Sequence, residues 1–332
     1  MCAALAALLA TGLAACVDDS GSSSSGQSAD GRVTLRIGDQ NKTLELPLTL
    51  SGENAGTPYG LQWNNFADGP NMNAAFSAGK LDVGFMGDTP TLFAAAADAG
   101  VVAVAVQETP VNPLTIFAAA DSGIRTPADL AGKRIALTVG TALHGYLLRQ
   151  LDSAGLTQDD ITLVNVPVST LVSTFSSGQV DAIVYTKQYA HVLLDQAPGA
   201  YEIDVTPVPY FSVILAAKKA LEDPDRRSAV EDFVLRMSRA STWPKENPDE
   251  WVQKYYVELL KQDPVLSREY FDSLPETRYT PVNKAFLESQ QAQADLLIGV
   301  GELPASLNVD DLVDPEFNTA LEQRFAAAGL AA

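Results

Sequence analysis

The sequence predicts an α/β protein built as two similar lobes, each a sheet covered by helices, and three observations carry that expectation. From Val33 onward, short β-branched runs alternate with helical stretches, the order that produces strands joined by helical crossovers and hence parallel sheets. One phrase is written twice: FSAGKLDVGFMGD, from Phe76 to Asp88, and FSSGQVDAIVYTK, from Phe175 to Lys187, share Phe-Ser-x-Gly-x-(Leu or Val)-Asp before an apolar run. After Asp223 the text changes to long, charged, amphipathic helices, expected to pack on the first lobe and close it.

In chain order, strands are expected at residues 33–38, 61–66, 81–87, 101–107, 114–120, 134–140, 161–166, 181–186 and 211–217. Two junctions bear on function. After the strand ending at Gly87, Thr89 reads as an N-cap, Pro90 is pre-set for the first turn and Gly100 stops the helix. After the strand ending at Gly140, Thr141 reads as an N-cap, Leu143, Leu147 and Leu151 recur every four residues, and Gly155 stands where a left-handed C-terminal residue is usual. In open α/β sheets, ligands bind outside the carboxyl ends of strands, where such helix starts point free N–H groups outward. If Phe76, Gly79 and Asp82 correspond to Phe175, Gly178 and Asp181, the strand exits Gly87-Asp88 and Thr186-Lys187 correspond too, and a ligand fits between the two copies. A generic reading stays open, because helix–glycine–strand units recur in α/β chains.

At 332 residues and 46% hydrophobic content, the chain is long enough for two ordinary cores. Its formal charge of -19, from 41 acidic against 22 basic residues, argues against a nucleic-acid or anionic-lipid surface. Residues 1–16 form an apolar run of signal-peptide length, preceded by no Lys or Arg. The end of that run, Leu13-Ala14-Ala15-Cys16, resembles the bacterial lipobox, which implies cleavage before Cys16, its lipidation, and membrane attachment through that anchor only. Residues 17–32, rich in Ser and Gly, read as a flexible linker. With Cys2 removed and Cys16 lipidated, the folded body has no thiol for catalysis or a disulfide. Two histidines and no HExxH, Gly-x-Ser-x-Gly or phosphate-binding loop leave little for an enzyme to work with, and no cofactor is implied.

The ordered set LRIGDQNK, WNNFADGPNMNAAFSAGKLDVGFMGDTPTLFAAAADAG, TPADLAGKRIALTVGTALHGYLLRQLDSAGLTQDDITLVNV, FSSGQVDAIV and QQAQADLLIGVGELPASLNVDDLVDPEFN resembles the substrate-binding proteins of the aliphatic sulfonate, taurine and nitrate class of bacterial ABC importers. The resemblance implies a type II periplasmic-binding-protein fold: residues 33–107 plus 210–332 as lobe one, 108–209 as lobe two, and a hinge of two crossovers that closes on a small organic anion. It also implies an extracytoplasmic monomer serving a cognate permease and ATPase. By residue matching, Gln40 falls in the first strand-exit loop, Asp88 and Thr89 on the family's Gly-Asp-x-Pro turn, and Thr141 and His144 on its Gly-(Ser or Thr)-x-x-His helix start. Where many sulfonate binders read Trp-Asp-Pro, this chain reads Tyr185-Thr186-Lys187-Gln188, which leaves the anion's identity open.

An anionic head group taken out of water needs donors. Two helix starts with Thr89 and Thr141 would supply them, at about 1.5–3 kcal/mol for each charge-assisted hydrogen bond and about 0.3–1 kcal/mol for each helix dipole. That is enough for the ~8 kcal/mol of a micromolar affinity. Lys187 adds a point charge if it faces the ligand. Each candidate has a plainer reading beside it. Thr89 and Thr141 cap helices, Asp88 holds its turn, and His144 lies on the surface. Lys187 is solvated, His191 is structural, and Tyr210, Phe211 and Ser212 at the return crossover are either ligand walls or core. The rival ligands are aromatic carboxylates such as phthalate, taurine and nitrate. The rival functions are a sensing ectodomain and a thiamin-pyrimidine-synthase-like enzyme, whose cysteine-rich motif this chain lacks.

Overall fold

The computed structural model describes residues 31–330. The expected signal segment, Cys16 and all but the last two residues of the linker lie outside the described residues. The nine expected strands all form, as β1 (Thr34–Asp39), β2 (Gly60–Asn65), β3 (Val83–Gly87), β4 (Val101–Thr109), β5 (Leu114–Ala118), β6 (Arg134–Leu137), β7 (Thr162–Asn165), β8 (Ala182–Thr186) and β10 (Tyr210–Ala217). A tenth, β9 (Tyr201–Glu202), has two residues, too few to carry a pattern in the sequence.

The strands make two five-stranded sheets, ordered β2-β1-β3-β10-β4 and β7-β6-β8-β5-β9. Both sheets are mixed, which corrects the expectation of parallel ones. β1 pairs parallel with β2 and β3, and β6 with β7 and β8. The next strand in each sheet, β10 beside β3 and β5 beside β8, is antiparallel. The reason is topological: β5 and β10 each enter their sheet directly from the other sheet, so they run back from the interlobe edge.

The duplicated phrase is one structural device used twice. The helices α2 (Gly69–Ser77) and α5 (Leu171–Ser176) end ahead of Gly79 and Gly178, whose φ of 64° and 74° reverse the chain at low steric cost. Asp82 and Asp181 then enter β3 and β8. The Asp82 carboxylate accepts from the Arg36 backbone N–H (2.9 Å), Nε (2.9 Å) and Nη2 (2.6 Å), and Asp181 does the same with Arg134 (2.8, 3.3 and 2.8 Å). Each arginine's Nη1 donates to the turn, at the Gly79 or Gln179 carbonyl. In both lobes a carboxylate entering one strand, β3 or β8, is thus clipped to the start of its parallel neighbour, β1 or β6. Arg226 adds a second guanidinium to Asp82 alone, at 3.0 Å.

Helices α1 (Glu45–Leu50), α3 (Asp88–Ala96), α4 (Ala142–Ser153) and α6 (Ala190–Gln196) complete the covering layers of the two halves. The C-terminal helices cover lobe one as expected. Val230, Phe233, Val234 and Met237 of the helix Pro224–Ala240 join Leu35, Ile37 and Val104 in one core. The helices Pro224–Ala240, Pro264–Ser273 and Pro315–Ala327 each start at an Asp-Pro step, whose carboxylate accepts N–H groups of the first turn while the proline takes the first helical position. The helix Lys284–Gly299 does more than cover: it also packs on α4 of the second lobe.

The two clips differ in burial, the Asp82 side chain being 3% exposed and Asp181 28%. Asp82→Ala strands two guanidinium groups and is expected to cost about 3 kcal/mol, whereas Asp181→Ala is expected to cost about 1 kcal/mol or less. Urea unfolding of the two variants reads the difference.

Candidate functional site

The interlobe edge of sheet one is a row of strand ends. Asp39 closes β1, Gly87 closes β3, and Ser212 of β10 stands between Gly87 and Gln107 of β4. The facing edge of sheet two is made by the turn Thr138–Thr141 before α4 and by Thr186–Tyr189 after β8. The two edges approach closely. A Cβ placed on Gly87 would lie 3.0 Å from the Ala142 Cβ and 3.2 Å from the Tyr210 hydroxyl.

The two helix starts are unlike. α3 begins at Asp88 with Gly87 as N-cap, two residues earlier than the sequence implied, so Thr89 is not the cap. The Asp88 carboxylate accepts the Thr89 N–H at 2.7 Å and thereby occupies the helix start itself. That carboxyl is buried, and burial pushes its pKa up, against the pull of Arg149 and of the Thr89 N–H. Thr89 is fully buried, and its hydroxyl accepts from the Gln293 amide at 2.9 Å. Gly145 of α4 lies against the same group: a Cβ there would sit 2.2 Å from both Thr89 Oγ1 and Gln293 Nε2, so only glycine permits the approach. The α3 start is therefore closed by protein, which removes one of the two helix starts assigned to an anion.

The α4 start is not closed in this way. Thr141 occupies the N-cap position in extended conformation, but its hydroxyl donates to the Thr138 carbonyl at 2.7 Å and makes no cap bond. The first turn of α4 carries no acid. His144 is neither a surface residue nor a ligand donor here. It is fully buried, with Nε2 2.8 Å from the Gln158 side chain and a pKa lowered by burial.

The remaining expected residues divide. The Gln40 amide donates to the Phe85 carbonyl at 3.1 Å, at the head of a loop in which Asn41 and Lys42 hold left-handed φ of 51° and 55°. Such backbone costs about 1–3 kcal/mol per residue and persists only where its surroundings impose it. Here Asp39 imposes it, its carboxylate accepting from the N–H groups of Gln40, Leu44 and Glu45 at 2.7–3.2 Å. Thr186 and Lys187 are half-buried at the β8 exit, and the Lys187 ammonium pairs with Glu202 at 3.1 Å. Tyr210 stands between Gly87 and Ala142, and Ser212 lies in the strand-end row. Phe211 points into the core, edge-on to Phe286 at 5.5 Å, and is not a ligand wall.

Sequence reasoning missed three features. Asp39 was passed over as part of LRIGDQ, although an Asp directly at a strand exit is the signal. Arg149, in the middle of α4, reaches the Pro209 carbonyl (3.0 Å), the Ser289 carbonyl and hydroxyl (3.1 and 3.0 Å), and Asp88 (3.8 Å), tying lobe two to lobe one. The aromatic residues of WVQKYY pass for one face of an amphipathic helix. In the structure Trp251 stacks on Tyr255 at 4.7 Å, and Tyr255 meets Tyr256 edge-on at 5.0 Å.

Burial pushes Asp39 up from 3.8 to about 6, against the N–H groups of Glu45, Gln40 and Leu44. The folded state therefore holds this proton more tightly than the unfolded chain. The resulting stabilisation is complete below pH 3.8 and is lost as pH rises through about 6. The loss amounts to at most about 3 kcal/mol for this group. Stability curves from pH 3.5 to 7.5 should show a shallower or reversed fall in Asp39→Asn relative to the wild type; parallel curves would remove Asp39 as a titrating group.

Comparison with known proteins places the chain. Residues 62–251, more than half of the chain, match the family model described as NMT1/THI5 like. A putative aliphatic sulfonates-binding protein of Escherichia coli (strain K12) is 28% identical over 279 residues, 83% of this chain and 86% of that one. The solved alkanesulfonate-binding protein SsuA of Xanthomonas axonopodis pv. citri, bound to MOPS, superposes with a TM-score of 0.74 at 27% identity, covering 85% of this chain and 98% of that one. The desulfurization enzyme DSZB superposes at 0.62 with 19% identity over 88% of this chain and 99% of that one, a likeness of fold alone. With its two mixed sheets, their paired clips and the crossovers between them, the chain belongs to the NMT1/THI5-like family and has the two-lobed α/β architecture of periplasmic binding proteins.

Proposed function

We propose that the protein is the extracytoplasmic solute-binding component of an ABC importer and captures an organic sulfonate between its lobes. The observation that carries this reading is the asymmetry of the two helix starts. α3 is filled by its own Asp88, whereas α4 presents a first turn with no acid and no cap from Thr141. A sulfonate has three acceptor oxygens and one delocalised charge, the group that free N–H donors at a helix start hold best. The head group then sits on lobe two, at Ala142 and Leu143, with Thr141 and Thr186 beside it. The Gln40 loop, Tyr210 and Ser212 of lobe one close over the organic part. Lys187, already paired with Glu202, contributes little net charge. Closure proceeds by bending the two crossovers.

The relatives are named for binding sulfonates, which supports this head group and the partnership with a permease and ATPase. The relatives are named as binding proteins, which supports a binding rather than a catalytic role. Among the described residues no helix is long and apolar enough to cross a membrane. Attachment through a lipidated Cys16, read from the lipobox-like Leu13-Ala14-Ala15-Cys16, and a monomeric state belong to the same proposal.

Isothermal titration with ethanesulfonate, benzenesulfonate and the corresponding carboxylates tests the reading; absence of heat with every anion overturns it. Thr141→Asp places an acid at the α4 start, as Asp88 does at α3, and is expected to weaken anion binding at least about tenfold while the fold is retained. Lys187→Ala is expected to change affinity by no more than about threefold, as for other exposed ion pairs.

A further inference from the structure

We propose that the ligand carries a carboxylate at the end remote from its sulfonate, and that a cavity behind the lobe-one edge receives it, with Tyr279, Gln107 and Lys245 as donors. This deepens the preceding reading and rests on it for where the head group sits.

The cavity has a volume of about 150 Å³, room for a group the size of benzene. Met237, Trp251 and Phe271, all buried, give it apolar walls. Three polar side chains line it with hydrogen-bonding capacity that the protein leaves unused. Tyr279 is 3% exposed, and among the described residues its hydroxyl has no partner. The half-buried Gln107 amide makes no hydrogen bond among the described residues. The Lys245 ammonium donates to the Phe271 carbonyl at 2.7 Å and lies 4.2 Å from that ring, and among the described residues no carboxylate forms an ion pair with it. Asp272, Arg268 and Glu276 act on it from farther off. A buried donor without a partner is rare in a native fold, because its desolvation is not repaid. Two of these groups donate through N–H and the third through O–H, so the set calls for an acceptor with several lone pairs, and the lysine favours one that is charged. Asp39, which acts electrostatically on Tyr279, has its own carboxylate taken up by the N–H groups of Gln40, Leu44 and Glu45.

The sheet register ties this cavity to the interlobe edge. Gly87, Ser212 and Gln107 stand side by side on β3, β10 and β4. Two strand spacings, about 10 Å, therefore separate Gly87 from Gln107. A Cβ on Gly87 meets Ala142 at the α4 start, so Gln107 lies within the length of one small extended molecule from the head-group position. Thr43, in the loop that follows Gln40, lines the cavity as well. The loop assigned to cover the organic part is thus also a wall of the space that takes its far end.

The test is a calorimetric titration of the intact protein with the alkanesulfonates from propane- to hexanesulfonate and with the ω-carboxylated sulfonate of each length. At one length or more, the carboxylated compound is expected to bind at least about tenfold tighter than its plain counterpart. Lys245→Met and Tyr279→Phe, the second removing only a hydroxyl, are each expected to shrink that ratio, which a general loss of affinity leaves unchanged. A ratio near unity at every length, the result for a cavity that holds only water, overturns the proposal, as does a gain that both variants retain. Binding of the α,ω-dicarboxylates without any sulfonate, weakened in both variants, overturns the sulfonate reading and leaves the cavity assignment standing. No heat with any of these compounds overturns both.

Discussion

A carboxylate buried at the start of a helix cannot be left without partners, and in this protein its partners hold the two lobes in register. Asp88 sits in the α3 start with its charge opposed by burial. Its relief comes from the adjacent Thr89 N–H and from Arg149, a residue of the other lobe, which is itself anchored on Pro209 and Ser289. The close approach of α4 at Gly145, against Thr89 and Gln293, belongs to the same seam. Lobe one, lobe two and the helix Lys284–Gly299 therefore meet at one polar contact, and the interlobe edges face each other where that contact sets them.

The same constraint makes the site asymmetric. The α3 start is filled by its own acid, while the α4 start, which follows the other lobe's β6, has no acid in its first turn. The two halves share a clip, Asp82 with Arg36 and Asp181 with Arg134, but Asp82 is much the more buried of the two carboxylates. Duplication supplied two similar scaffolds, and one side chain at the strand exit, Asp88 against Thr186-Lys187, separated their electrostatics.

Aromatic side chains complete the division of labour. Lobe one contributes a chain of ring contacts from Trp251 to Tyr270, face to face only between Trp251 and Tyr255, and lobe two the pair Tyr185 and Tyr189.

The sequence by itself determined the strands, because alternation of β-branched runs with helices is a local property, and it determined the two-lobe plan, because the Phe-Ser-x-Gly-x-x-Asp phrase is covalently present twice. It also located the exits of β3 and β8 at Gly87 and Thr186, whereas β6 ends at Leu137, short of the expected Gly140. It did not determine what each exit residue does. Whether Thr89 and His144 meet a ligand depends on Gln293 and Gln158, and whether Phe211 is wall or core depends on Phe286. The direction of strand β5 or β10 and the reach of Arg149 likewise join residues far apart in the chain. Hydrophobic period and cap chemistry are written within a few residues and can be read there; burial, charge pairing and the contents of a cleft arise only when distant segments come together.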